Sequence, residues 1–273
     1  MSGIAAAARG AGLTRRILAA IGKSARVRAV FLLQLAALSW GIVEEAAQPF
    51  SWRPTVRSEF RRALSQAAGG GLPATLFTGA LVGLVMVSQA LYWLGEAGEE
   101  ELIGPVLVTV LVREVAPLFV GLIVLGRNGI VAAGELGTVR LASEARVLLG
   151  QGIDMFALLI MPRAVAFALA SFALGIVFIS VALLVGFMAG SLFGAIHVSF
   201  FSFLDHVLEA MRAADFVLLP AKLLIVGFLV AGVVCLTGLS AGPGERLAEL
   251  PPRAFVRGAL AIMLVSLVLS LAA

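Results

Sequence analysis

Four side chains in this 273-residue sequence carry charge where charge is expensive: Arg113, Glu114, Asp215 and Lys222. Arg113 and Glu114 lie inside the apolar run 102–126, and Lys222 lies inside a second run, 216–240, with Asp215 at its edge. An ionised group at the centre of a bilayer costs roughly 2.5–3.5 kcal/mol on insertion scales, so such groups must face protein or a wet cavity. Neighbouring residues on a helix point about 100° apart, so Arg113 and Glu114 cannot satisfy each other side by side. Each needs a partner on another helix, and Lys222 and Asp215 are the complements the sequence offers. Two readings follow: a structural charge cluster that fixes helix register, or a polar lining along a substrate path. Intramembrane ionisable groups favour the second.

Other chemistry finds little support. Gly238, Ser240 and Gly242 have the spacing of a hydrolase nucleophile elbow, but that motif needs a strand–turn–helix and a histidine partner, and here it closes an apolar run. His197 and His206 are nine residues apart instead of the four of a helical metal pair. Cys235 is the single cysteine, so it forms no internal disulfide and reads as a small hydrophobe. No GxxxxGK[ST] phosphate loop is present, so ATP-driven work falls to another chain, and the protein is expected to need no cofactor or metal of its own.

The elements that hold the four charges follow from composition. Sixty-one per cent of the residues are hydrophobic and 13% are charged, about half the charged share of a soluble domain. The mean hydropathy of +1.07 is spread along most of the chain, which points to a polytopic all-α membrane protein. Apolar runs at 72–94, 102–126, 155–193, 216–240 and 254–273 predict five transmembrane helices, the third too long for one upright crossing. A sixth run, 29–43, is short and follows Arg15, Arg16, Lys23, Arg26 and Arg28. Cations beside a short apolar stripe predict an uncleaved interfacial helix, so residues 13–66 read as an amphipathic interfacial region, 1–12 as a disordered N-terminus and 67–273 as the membrane domain.

Orientation comes from the basic residues. Ten of the 20 Lys and Arg lie in residues 1–62, four in 127–163 and three in 246–257, whereas the loop 95–101 has four glutamates and no base. With five spans these three regions share one side, and the positive-inside rule makes it cytoplasmic, with the C-terminus outside. The longest polar interruption is then a cytoplasmic loop, 127–154. Its glycines bracket a stretch of helix formers at 138–149 that carries Arg140, Glu144 and Arg146, a pattern that fits either a solvated connector or a docking helix for a soluble partner. Gly79 with Gly83, and Gly186 with Gly190, allow close helix approach within the bundle or at a dimer seam.

Taken in order, LVREVAP at 111–117, GRNGIVAAGELGTVR at 126–140, GID at 152–154 and MPR at 161–163 resemble the MlaE/YrbE family of ABC-transporter permeases. The likeness is clearest over 79–163. Asp215 and Lys222 at their seven-residue spacing, and CLTGLSAG at 235–242, are similar as well. The resemblance implies a homodimeric, non-catalytic permease of the bacterial inner membrane. Its implied partners are a cytoplasmic ABC ATPase that uses the ATP and a periplasmic MCE-domain protein, its implied cargo phospholipid or a related lipid. Carried over by position, Arg113, Glu114, Asp215 and Lys222 fall near the lipid cavity. Residues 135–152, with Glu135, Thr138, Arg140, Glu144 and Arg146, fall on the ATPase-coupling helix. Two stretches depart from the family pattern, the coupling residues 141–146 and the loop 247–253. From the residues alone, an ion-coupled secondary transporter or channel with Glu114 as carrier remains the alternative, although the inverted repeats common in such proteins are not evident.

Overall fold

The computed structural model describes residues 22, 26, 29–141, 150–152, 154–192, 199–242 and 246–272. Expectations for 1–12, Glu144, Arg146 and His197 lie outside them. Among the described residues the chain is helical, with no strand. Six helices are long and apolar enough to cross a membrane: α1 (Ala29–Ala47), α2 (Pro54–Glu96), α3 (Ile103–Leu141), α4 (Phe156–Leu192), α6 (Asp215–Leu239) and α7 (Leu247–Leu271). Between α4 and α6 lies the shorter α5 (Phe200–Glu209), whose N-cap Ser199 accepts a hydrogen bond from the Ser202 amide.

The helices outrun the apolar runs that announced them. Pro54, which needs no backbone donor, starts α2 in its first turn, so residues 54–66 continue without a break into the helix of the 72–94 run. Likewise α3 runs unbroken through 127–141, half of what reads in sequence as a loop. Hydropathy marks immersion in lipid, whereas a helix ends only where its hydrogen bonds stop. Helix α1 extends the 29–43 run to 19 residues, and almost none of it is buried. Half of α6 is buried, which makes α6 the central helix and α1 and α7 peripheral.

Glycines set the close contacts. Gly79 and Gly83 of α2 lie against the Phe178 and Ala182 backbone of α4, and Gly186 of α4 lies against Val87 of α2. The small-residue pairs are thus an α2–α4 seam within one chain. Gly227 of α6 receives the Phe167 carbonyl of α4, and Gly238 lies against the Ala133 carbonyl of α3. Gly175 receives Leu223, and Gly121 receives Val226 and Ile262, so α4, α3 and α7 all close on α6. The starts of α2, α4 and α7 and the end of α3 share the base-rich end. At the other end lie the glutamates of 96–101, α5 and the start of α6.

Candidate functional site

The four intramembrane charges meet in one cluster. Arg113 Nη2 donates to Asp215 Oδ2 at 2.7 Å, and Lys222 Nζ lies 3.2 Å from Glu114 Oε1. Each charge on α3 therefore pairs with an opposite charge on α6, as their positions about 100° apart require. The Asp215 carboxylate is almost fully buried and also accepts the Arg212 amide at 2.8 Å. Ser270, on α7, completes the set: Lys222 Nζ donates to Ser270 Oγ at 2.8 Å, and Ser270 Oγ contacts Glu114 Oε1.

The third acceptor of Lys222 has a local cause. Its ammonium donates to the Arg113 carbonyl at 2.7 Å. In an α-helix that carbonyl would accept from the residue four positions on, which is Pro117 and has no N–H. The helix meets the proline with a π-helical segment, Val108–Val115, in which the Ala116 amide bonds the Leu111 carbonyl five residues back. Lys222 then has three donors and three acceptors: a carbonyl, a carboxylate and a hydroxyl. The four formal charges sum to zero.

The cluster lines a cavity of about 220 Å³ between α3, α6 and α7, whose other walls include Val112, Leu218, Leu219, Ile225 and Leu269. Lys222 and Asp215 are buried in its floor, with side-chain exposures of 9% and 4%, while Glu114 at 45% and Arg113 at 27% face the opening. A mostly apolar hollow with one positive and one negative group at its mouth suits an amphiphile with a polar head. Ser270 and Thr109 also line it. Sequence reasoning missed both, although Ser266 and Ser270 stand one turn apart in the apolar part of α7, and that spacing is a signal.

The residues expected to couple to an ATPase lie at the opposite, base-rich end. Glu135, Thr138 and Arg140 are exposed on the last turns of α3. Thr138 Oγ1 donates to the Gly134 carbonyl at 3.0 Å, and Glu135 pairs with Arg163 of α4 at 2.8 Å. Glu135 thus ties the end of α3 to the start of α4, while Arg140 is exposed. His206 is exposed on α5, and Ser240 Oγ donates to the Thr237 carbonyl at the end of α6. Among the described residues no three His, Cys, Asp or Glu side chains gather to hold a metal.

A helical membrane bundle that carries a neutral charge cluster in an apolar cavity has the makings of a transport subunit. Residues 60–272 match the family model described as Permease MlaE, and the chain belongs to that family. A protein of Rickettsia bellii named as a probable ABC transporter permease is 27% identical over 177 residues, 64% of this chain and 67% of its own. A similarly named protein of Synechocystis is 29% identical over 196 residues, 71% and 74% of the two chains. The chloroplast protein TRIGALACTOSYLDIACYLGLYCEROL 1 of Arabidopsis thaliana is 26% identical over 221 residues, covering 80% of this chain and 61% of its own. The chain is accordingly an integral-membrane transport subunit of the ABC permease type.

Proposed function

We propose that the protein is the membrane half of an ATP-driven lipid transporter, without catalysis of its own. In this reading it moves phospholipid or a related lipid between the bacterial inner membrane and a periplasmic MCE-domain carrier. The observation that carries the reading is the neutral four-charge cluster lining an otherwise apolar cavity. A lipid headgroup can exchange partners with Arg113 and Glu114 while its chains lie against leucines and valines, and the lipid in the name of the Arabidopsis relative agrees with that cargo.

The cytoplasmic ATPase docks at the base-rich end on the last turns of α3 and the segment beyond, with Arg140, Glu144 and Arg146 as its contacts and Glu135 and Thr138 holding the base. Two copies of the chain form the working unit. Helix α1 lies in the headgroup plane on the same side. Three contacts support that placement: Phe31 under the Arg257 guanidinium at 4.7 Å, Leu35 and Leu38 on Gly232, and Gly41 on Phe156. Arg257, Gly232 and Phe156 all lie within about ten residues of the base-rich ends of their helices, so α1 runs across those ends instead of through the bundle. The N-terminus is then cytoplasmic and the C-terminus periplasmic.

The test is co-expression with candidate ATPases, purification in mild detergent and reconstitution into vesicles that report movement of labelled phospholipid. The expected result is a copurifying ATPase, ATP-dependent lipid movement, and loss of that movement with retained hydrolysis when Arg140 is reversed to Glu. Transport that follows an imposed ion gradient with no ATPase bound would overturn the reading in favour of an ion carrier at Glu114.

A further inference from the structure

A second cavity, of about 330 Å³, opens between α2, α3 and α4 at the base-rich end, with walls that include Ala63 and Ala132. Glu135 lies 21 residues beyond Glu114 on α3, roughly 30 Å along the helix, so the two cavities are separate. The polar groups of the second are Gln66, Asn128, Glu135 and Arg163. Arg163 is largely buried, with 15% of its side chain exposed, and commits only Nη2 to Glu135. Its Nη1 finds no acceptor among the described residues. Asn128 donates to the Ala67 carbonyl at 3.2 Å, and the Glu135 carboxylate stays 43% exposed.

The cavity lies near the base-rich ends of the helices that form it. Arg163 lies seven residues from the start of α4 and Glu135 six from the end of α3, roughly 10 Å along each helix. Arg62, one turn before Gln66 on α2, is exposed and lies 3.9 Å from Glu59. A single-arm arginine–glutamate pair displayed in a greasy hollow offers a donor and an acceptor side by side, the complement of a headgroup that carries both phosphate and ammonium. A purely anionic headgroup would draw on Arg163 and bring no cation of its own to the Glu135 carboxylate paired with it.

We propose that this cavity binds the zwitterionic headgroup of a phospholipid from the leaflet at the base-rich end. Phosphate oxygens accept from Arg163 and the Gln66 amide, and the ammonium rests on Glu135. The site deepens the lipid-transport reading and rests on it, adding a second headgroup position at the other end of α3 from the Lys222 cluster.

The test is native mass spectrometry of the full-length protein with phosphatidylethanolamine and phosphatidylglycerol. The background variant is Ala221→Phe, which fills the first cavity without touching its ion pairs. That variant is expected to keep one phosphatidylethanolamine with roughly fivefold preference over phosphatidylglycerol, as for one partly exposed ion pair. Adding Glu135→Gln should abolish the preference. Adding Ala63→Phe, which leaves the ion pair intact, should abolish the binding. Lipid on the wild type with none on Ala221→Phe would overturn this site and leave the transporter reading standing; lipid on neither would overturn both. A preference unchanged by Glu135→Gln, or equal binding of chain-free glycerophosphoethanolamine, would overturn the lipid-headgroup assignment.

Discussion

At the scale of single residues, the site turns on how Lys222 is satisfied. Breaking a buried ion pair by removing one partner costs about 3–5 kcal/mol, so a lysine this deep is tolerated only because all three protons are placed. Pro117 has a part in that, because it denies the Arg113 carbonyl its helical donor and leaves it for the ammonium. Pro117→Ala restores the amide and should have opposite effects on stability and function. Thermal stability in detergent is expected to hold or rise as the helix gains a hydrogen bond, while lipid affinity falls by roughly tenfold as the cluster loosens. Thermal unfolding and lipid-binding titrations on one preparation check both; a parallel fall in stability and affinity would contradict this role. The four charges were legible in the sequence because charge stands out against an apolar run. Ser270 and the Lys222 bond to the Arg113 carbonyl were not, since a serine in a greasy helix has little contrast and its partner is fixed only when α7 packs against α3 and α6.

At the scale of elements, the seam between α2 and α4 is where a small change should do most damage. A Cβ on Gly83 would run into the backbone of Ala182, which cannot swing aside as a side chain tip can. Gly83→Ala is therefore expected to cost about 1–3 kcal/mol, against a neutral or slightly favourable Gly69→Ala, where no atom outside the local helix backbone lies within 4 Å. Fluorescence-detected size-exclusion after a temperature ramp distinguishes the two. The span centres were readable from hydropathy, but the ends were not. Helices α2 and α3 continue for many residues past the lipid-facing stretch, and charged residues such as Arg57, Arg61 and Arg140 belong comfortably to a helix that has left the bilayer. The glycine pairs showed that two helices approach closely; which two depends on the whole packing.

At the scale of the molecule, the proposed orientation rests on the uneven distribution of basic residues. The natural Cys235 is fully buried, so an introduced cysteine reports without background. In right-side-out vesicles, Glu99→Cys should react with a membrane-impermeant maleimide and Arg57→Cys should not, and inverted vesicles should reverse the result. Labelling of both from one side would rule out the proposed topology. If the orientation holds, α3 reaches from a cavity near one membrane face to the docking turns beyond the other. Anything that biases its tilt at one end is then felt at the other by the same free energy in both directions.

The neutrality of the Lys222 cluster has an electrical meaning. Carrying one elementary charge across the membrane field takes about 2.3 kcal/mol per 100 mV, and a set of two cations and two anions that moves together carries none. A permease built around such a set can open and close its cavity over a headgroup of zero net charge without drawing on the membrane potential.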